Sequence, residues 1–524
     1  MAEPRRDGKS AKKGARESRG KAARSSGPRG RPARRETFAA LAVDIGASNG
    51  RAVFGELSAD GRLTMKEIRR FPNGMVSVDG AQRWDFQRLL GEVVAALEDC
   101  ARAGLRPRSV GIDTWGVDYA LIGTDGKLVD MPFAYRDRRC PPAMERFFRE
   151  AMRPEEIYAI TGIQFMPFNT LYQLAADVFA GGERLARASR ILMMPDAFAW
   201  ALSGEAVAEY TIASTSQMLD ARLRDWSPAI VDKLGIRREL LPPIVAPGTR
   251  IGAKQVASGL SVDVVVPAGH DTAAAVAAVP ASPGQPWAYV SSGTWSLVGV
   301  ETREPVLTES ARLAGVTNEG GVEGTYRLLS NVMGLWLLQE CMRMWEKRSS
   351  APDIAKVCEE AASAPPDGPL VDPDDRAFLA PEDMLQAIAE FCRRTGQRPP
   401  EGVGPTARCI FESLALKTRA VLERISGLTG VRPEVLHMVG GGTRNSLLCQ
   451  STADATGLPV IAGPAEATAI GNLLVQAMAA GRLSGLAELR KVVRESERPA
   501  RYEPSGDERW RRRWEVFQGL LPRS

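Results

Sequence analysis

Asp44-Ile45-Gly46-Ala47-Ser48-Asn49-Gly50-Arg51, and far along the chain Ser291-Ser292-Gly293-Thr294-Trp295, are the segments best suited to chemistry on phosphate. Each interrupts a β-like stretch, 39–43 and 52–57 around the first turn, 288–290 and 296–300 around the second. A strand, a small-residue turn and a second strand can press backbone N–H groups against phosphate oxygens, since glycine carries no Cβ to hold a ligand away. Asp44 at a strand end can hold Mg²⁺ directly or through its water shell, because magnesium takes one or two carboxylates and keeps its waters. Arg51 can supply a cation. No G-x-x-x-x-G-K-[ST] loop occurs, which argues against a P-loop enzyme. Two such turns suggest two related halves closing on one nucleotide.

Asp271 is the candidate base. It follows a strand-like run, Val264–Val266, then Gly269 and His270, and precedes an alanine-rich helix expected over Thr272–Val279. A carboxylate there can take the proton of a substrate hydroxyl as its oxygen attacks phosphorus. Asp is also a preferred N-cap, so by itself the spacing leaves base and cap open, and it leaves His270 open between a ligand contact and a buried ring. Gly440-Gly441-Gly442, after the strand Val435–Val439, suits a base or ribose pressed against backbone, or a tight connection. His437 inside that strand reads as structural. Trp115-Gly116-Val117-Asp118 and Tyr135-Arg136-Asp137 read as loops at strand ends, where α/β sheets place substrate contacts.

The elements that must position these groups alternate. Residues 37–123 carry apolar β-type runs and one helical segment, Phe86–Ala103, with strands at Arg108–Asp113 and, beside it, Ala120–Ile122. Residues 135–245 read as mostly helical, and Ala281–Pro286 as a hinge or linker. The second half repeats the theme with a hairpin at 288–300, helices at 331–347 and 406–428, and a last core helix opening at 464–472. The expected fold class is therefore α/β. The expected organisation is a basic tail (1–36), an N-terminal lobe (37–280), a linker (281–286), a C-terminal lobe (287–500) and an extension (501–524).

The formal charge of +5 belongs to the tail. Residues 1–36 hold 13 Lys/Arg against 4 Asp/Glu, which leaves 55 against 59, a net of −4, for the remainder. A mildly acidic body offers no global case for nucleic-acid binding. The tail has almost no large apolar residue before Phe38 and is expected to be a disordered, solvated extension; a tether to nucleic acid or an anionic surface is its alternative use. Behind Arg5-Arg6 it lacks the apolar stretch of an export signal. No apolar run is long enough to span a membrane. The seven cysteines are scattered and never form a C-x-x-C pair, which argues against a disulfide framework or a structural zinc site. A cytoplasmic protein is the expectation, with monomer and homodimer both open.

Taken in order, VDIGASNGR (43–51), GIDTWGVD (111–118), TGIQFMPFNTLYQL (161–174), GHDTA (269–273), SSGTWSL (291–297), TNEGG (317–321), NVMGLWLLQE (331–340), VGGGTRNSLL (439–448) and AGPAEATAIGN (462–472) resemble the FGGY carbohydrate kinases from about Leu41 to Gln476. The 111–118, 161–174 and 317–340 stretches resemble the branch that phosphorylates L-rhamnulose.

This resemblance implies a duplicated, RNase H-like (actin- and hexokinase-type) fold, with ATP and Mg²⁺ between two hinged lobes. It implies transfer from ATP to the 1-hydroxyl of L-rhamnulose. By position it makes Asp271 the general base, and Gly116, His270, Thr272 and Asn331 the sugar contacts. It makes Ala47, Ser48, Asn49, Gly50, Arg51, Thr294, Gln339 and Gly441 the ATP contacts, with Asp44 near the metal. Asn49 stands where the family often has a second serine, and the tail 1–36 has no counterpart in the family core. Another ketose, such as L-fuculose or L-xylulose, is the alternative substrate. A non-catalytic sugar or nucleotide sensor with a nucleic-acid-binding tail is the alternative from another class.

Overall fold

FAALAVDI is apolar at nearly every position, the pattern of a strand covered on both faces, and it forms β1 (Phe38–Ile45) at the centre of the N-terminal sheet. A computed structural model describes residues 36–348 and 352–522. The basic segment 1–35 and the last two residues of the extension lie outside the described residues. β1 turns back into β2 (Asn49–Leu57) and then β3 (Leu63–Pro72), both antiparallel. β4 (Ser109–Thr114) lies parallel on the other side of β1, followed by β5 (Thr249–Gln255) and β6 (Ser261–Val266). The spatial order is β5-β6-β4-β1-β2-β3.

The second half contains β7 (Trp287–Ser292), β8 (Trp295–Thr302), β9 (Thr317–Gly320), β10 (Tyr326–Met333), β11 (Val435–Val439), β12 (Val460–Ala462) and β13 (Ala500–Tyr502). These form a sheet in the order β9-β10-β8-β7-β11-β12-β13. Within it β10-β8-β7-β11-β12 repeats β3-β2-β1-β4-β6 strand for strand. In each set the first three strands are antiparallel to their neighbours and the last three parallel. The duplication suggested by two similar turns is therefore a duplication of topology. The fold is mixed α/β with two related halves.

Helix α1 (Phe86–Arg102) has the amphipathic periodicity read from its sequence. It buries Phe86, Leu89, Val93, Ala96, Leu97 and Cys100, and Asp85 caps it by accepting from the Arg88 N–H. Four helices concern the site or its supports: α2 (Asp271–Ala277), α3 (Trp336–Arg348), α4 (Val403–Thr429) and α5 (Ala467–Ala479). α5 belongs to the second half yet packs on the first. Its Gln476 accepts from Ser109 Oγ (2.7 Å) and donates to the Leu41 carbonyl (3.1 Å).

Two local expectations differ from the structure. Residues 331–333 finish β10, and the helix starts only at Trp336, because 326–333 pairs along its length with β8 and its apolar residues are buried on both faces. Tyr119–Gly123 does not join Ser109–Thr114; it pairs antiparallel with Ala188–Met193. Residues 281–286 are irregular.

Candidate active site

The two turns and the ends of β4, β6 and β11 enclose a cavity of about 740 Å³. The first turn is closed by Gly46 N–H donating to the Asn49 carbonyl (2.9 Å) and steadied by Asn73 Nδ2 donating to the Gly46 carbonyl (2.8 Å). In the second, Gly293 N–H donates to the Trp295 carbonyl (3.0 Å). Gln339 Nε2 reaches Thr294 Oγ1 (3.3 Å) from α3. The glycines after β11 nest against the end of β7: a Cβ at Gly440 would lie 2.8 Å from the Ser292 carbonyl oxygen, and one at Gly442 only 2.1 Å from Ser292 Oγ. Gly440 also has φ +86°, where side chains are disfavoured.

Asp44, Ala47, Ser48, Asn49, Arg51, Gly116, His270, Asp271, Thr272, Thr294, Asn331, Gln339 and Gly441 all line this cavity. Gly50 is the exception. It sits inside β2 opposite Ile45, buried, with the Phe71 ring where its Cβ would be. Its small size serves strand packing and it contributes no cavity wall. Arg51 lines the cavity but is engaged: it donates to Asp44 Oδ2 from Nε (3.1 Å) and Nη2 (2.9 Å) and pairs with Glu466. Glu466 in turn accepts from Arg444 (2.8 Å). His437 is buried away from the cavity, beside Trp287, and burial with the nearby Arg490 and Arg494 pushes its pKa down to about 4.

Three carboxyl groups gather at the strand ends. Parallel pairing of β1 and β4 sets Asp44 directly beside Asp113. Burial drives the Asp113 pKa well above the ordinary range, and the charges of Asp44 and Asp271 push the same way. Asn472 Nδ2 from α5 holds Asp113 Oδ2 at 2.6 Å, while Oδ1 is buried with no partner. The Asp44 pKa is raised too, chiefly by burial and also by Asp271, against the pull of Arg51. Two buried carboxyls side by side, a third whose charge reaches both, and one orphaned oxygen describe a place short of positive charge. No cluster of three or more His, Cys, Asp or Glu among the described residues forms a protein-only metal cage. That suits a cation held by one or two carboxylates, water and phosphate oxygens. Asp113 was not singled out from the sequence, although it ends its strand as Asp44 does.

Asp271 opens α2, and His270 is the residue before the helix. Asp271 therefore lies inside the first turn, one position past the N-cap. Its Oδ1 accepts from the Thr272 N–H (2.5 Å) and Oγ1 (3.0 Å), and lies 3.4 Å from His270 Nε2. Thr114 N–H donates to the Gly269 carbonyl (2.9 Å), which ties the 114–117 loop to this strand end. A Cβ at Gly116 would stand 3.4 Å from His270 Nε2, so glycine keeps that approach open. Asn331 Nδ2 donates to Gln164 Oε1 (3.2 Å).

An aromatic wall of Trp84, Trp115, Tyr135 and Phe168 completes the cavity. Buried Asp118 holds it in place, accepting from Trp84 Nε1 (2.6 Å), Trp115 Nε1 (2.9 Å), Gln173 Nε2 (2.9 Å) and the Tyr135 N–H (3.1 Å). Burial outweighs these four donors and pushes the carboxyl up to about 6. The folded protein thus binds a proton here that the unfolded chain releases near pH 4. This group's contribution to stability is full below that pH and lost as pH rises through about 6, a gain of about 1 kcal/mol on going from pH 7 to pH 5. Denaturant titrations at the two pH values should show this increment in the parent and its absence in Asp118→Asn; an equal increment in both removes Asp118 as its source.

Residues 39–278 match the N-terminal domain model of the FGGY family of carbohydrate kinases, and residues 288–480 match its C-terminal domain model. A protein of Bacteroides thetaiotaomicron named rhamnulokinase is 45% identical over 475 residues, covering 90% of this chain and 96% of its own. A rhamnulokinase of Pectobacterium carotovorum is 42% identical over 481 residues, covering 92% of this chain and 96% of its own. The solved xylulose kinase of Rhodospirillum rubrum superposes with a TM-score of 0.73 at 19% identity, covering 93% of this chain and 98% of that one, a likeness of fold. With both domain models matched in order on two topologically repeated halves that share one cavity, the chain belongs to the FGGY family of carbohydrate kinases.

Proposed function

We propose that this protein transfers the γ-phosphoryl group of ATP to the 1-hydroxyl of L-rhamnulose, giving L-rhamnulose 1-phosphate and ADP. The observation that carries this reading is the identity of 45% and 42%, over nine-tenths of the chain, to two proteins named rhamnulokinase. The single cavity uniting the sugar-side and phosphate-side residues supports it.

In this reading Asp271 is the general base. Its Oδ1 is occupied by the Thr272 N–H and Oγ1, which leaves Oδ2 for the sugar hydroxyl. Gly116, His270, Thr272 and Asn331 hold the sugar. Ala47, Ser48, Asn49, Arg51, Thr294, Gln339 and Gly441 line the nucleotide, and Gly50 supports the turn from behind. Asp44 would hold Mg²⁺, which would supply charge neutralisation on the phosphate oxygens, with buried Asp113 behind it. Positioning and charge carry most of the rate in phosphoryl transfer. The lobes run from 37 to 280 and from 287 to 500, closing about 281–286 to exclude water. No helix among the described residues is long and apolar enough to cross a membrane.

The test is ADP release from ATP against L-rhamnulose, L-fuculose, L-xylulose, D-xylulose and glycerol, with and without Mg²⁺. L-rhamnulose should lead by about tenfold or more, the discrimination that a difference of one small group supports, and turnover should need the cation. A different leading sugar overturns the substrate and keeps the kinase.

A further inference from the structure

Glu319, in the conspicuous TNEGG segment, and Arg327 have no role in the reading above, yet they are among the most deeply buried charges in the molecule. They sit opposite each other on β9 and β10. Arg327 is 0% exposed and Glu319 is 6% exposed. Burying a guanidinium is costly unless it is paired and hydrogen-bonded, so its partners are informative. Arg327 Nε donates to the Gly320 carbonyl (2.8 Å). Its Nη2 lies 3.1 Å from Glu319 Oε2 and 3.1 Å from His270 Nδ1. Nη1 is buried without a partner.

His270 is thus held from two sides. Its backbone belongs to the first half, where its N–H reaches Thr211 Oγ1 (3.3 Å) and Gly269 N–H donates to buried Glu209 (2.8 Å). Its ring is met by two side chains of the second half. A guanidinium has five N–H donors and no acceptor, and a neutral imidazole has one nitrogen of each kind. The nitrogen facing Arg327 must therefore be the acceptor, because an Nδ1–H would point at an Arg327 N–H across 3.1 Å. Nη2 donates to His270 Nδ1, while Glu319 Oε2, which has no hydrogen-bond partner, sits beside it as an ion-pair partner at 3.1 Å. Glu319 Oε2 also lies 3.3 Å from Nδ1 and on its own would favour Nδ1–H. Donation from Nη2 to Nδ1 decides the ring, and against burial it is chiefly the Arg327 charge that leaves the Glu319 carboxyl below its usual pKa.

We propose that Arg327, aligned by Glu319, fixes His270 as the Nε2–H tautomer and so makes the ring a hydrogen-bond donor into the cavity. Nε2 faces Asp271 Oδ1 and the opening left by Gly116. Arg327 and Glu319 act through His270 and are positioning residues. The second half thereby sets the chemistry of a group carried by the first. The tautomer stands on geometry alone; its consequence, donation to a substrate hydroxyl oxygen, rests on the sugar-kinase reading.

The chain has only two histidines, His270 and His437, so the tautomer is directly measurable. The full chain labelled with ¹⁵N on the imidazoles is examined at neutral pH by long-range ¹H–¹⁵N correlation, with the His270 signals assigned by their loss in His270→Asn. The expected result is an unprotonated Nδ1 and a protonated Nε2 at His270, without any substrate. A protonated Nδ1 in the parent protein overturns the proposal, whatever the fate of the variants. In Arg327→Met the Nδ1–H form should grow, and in Arg327→Lys the parent form should be largely restored. A folded Arg327→Met with an unchanged tautomer also overturns it. In activity, Arg327→Met should raise KM for the sugar by about five- to tenfold, the worth of one hydrogen bond, with KM for ATP unmoved. Equal changes in both constants would mark Arg327 as a structural prop only. Failure of the sugar panel with the Nε2–H signature intact would sink the substrate and leave the tautomer standing.

Discussion

Asp271→Asn is expected to lower turnover by ~10²–10⁴-fold, the usual worth of a positioned base, while ATP still binds. The substitution is nearly isosteric. Its carbonyl oxygen can still accept from the Thr272 N–H and Oγ1, as Oδ1 of the native carboxylate does, so α2 has no reason to shift. What is lost is the free carboxylate oxygen that faces the cavity and can take a proton. The measurement is single-turnover phosphoryl transfer to L-rhamnulose beside a direct titration with ATP. Loss of transfer with ATP affinity kept is the expected pair of results. Activity within a few-fold of the parent would falsify the base assignment, and loss of both properties would point to a disturbed fold instead.

Gly471→Ala, a single methyl outside the cavity lining, is expected to be nearly as damaging. Gly471 lies on α5 where that helix crosses α2, and a Cβ there would stand 1.8 Å from the Ala274 carbonyl oxygen and 2.5 Å from its carbon. The obstacle is backbone, so no side chain can swing aside. Restoring ordinary contact at ~3.5 Å moves the helices apart by on the order of 1–2 Å. Overpacking of this kind costs about 1–3 kcal/mol. The larger effect is on geometry: α2 carries Asp271 at its start, and α5 holds Asp113 through Asn472. A misplacement of ~1 Å at reacting groups costs on the order of 10²-fold. Thermal unfolding and kcat together test this. A parent-like melting temperature with parent-like kcat would show that the two helices slide freely and that their close approach is incidental.

These two substitutions mark different kinds of legibility. Asp271 was visible in the chain as a carboxylate between a strand and a helix, beside His270. The sequence left it open between base and cap, and the structure narrows this by placing it inside the first helical turn, with His270 before it. Gly471 was visible only as one letter of AGPAEATAIGN. Its necessity comes from Ala274, nearly two hundred residues away. Likewise Asp113 was passed over because nothing local distinguishes it; its meaning comes from register, which sets it beside Asp44 and under Asn472. Gly50 shows the opposite case. It looked like part of a phosphate turn, and only the Phe71 ring behind it shows why the residue must be small. Arg51 looked like a free cation and is engaged by Asp44 and Glu466.

By itself the sequence determined the family, the α/β class, the two strand-turn-strand units, most of the helices and the kinds of group available for chemistry. All of these rest on short-range pattern: side-chain periodicity, small residues at turns and motifs in a set order. The tertiary structure decided which groups meet. It placed Asn331 in a strand, paired Tyr119–Gly123 with Ala188–Met193, turned Arg327 of one half toward His270 of the other, and set Asp113 beside Asp44 within reach of the Asp271 charge. Such meetings depend on sheet register, helix crossing and the cost of burying unpaired charge, and these quantities are properties of the closed core that no local stretch of chain contains.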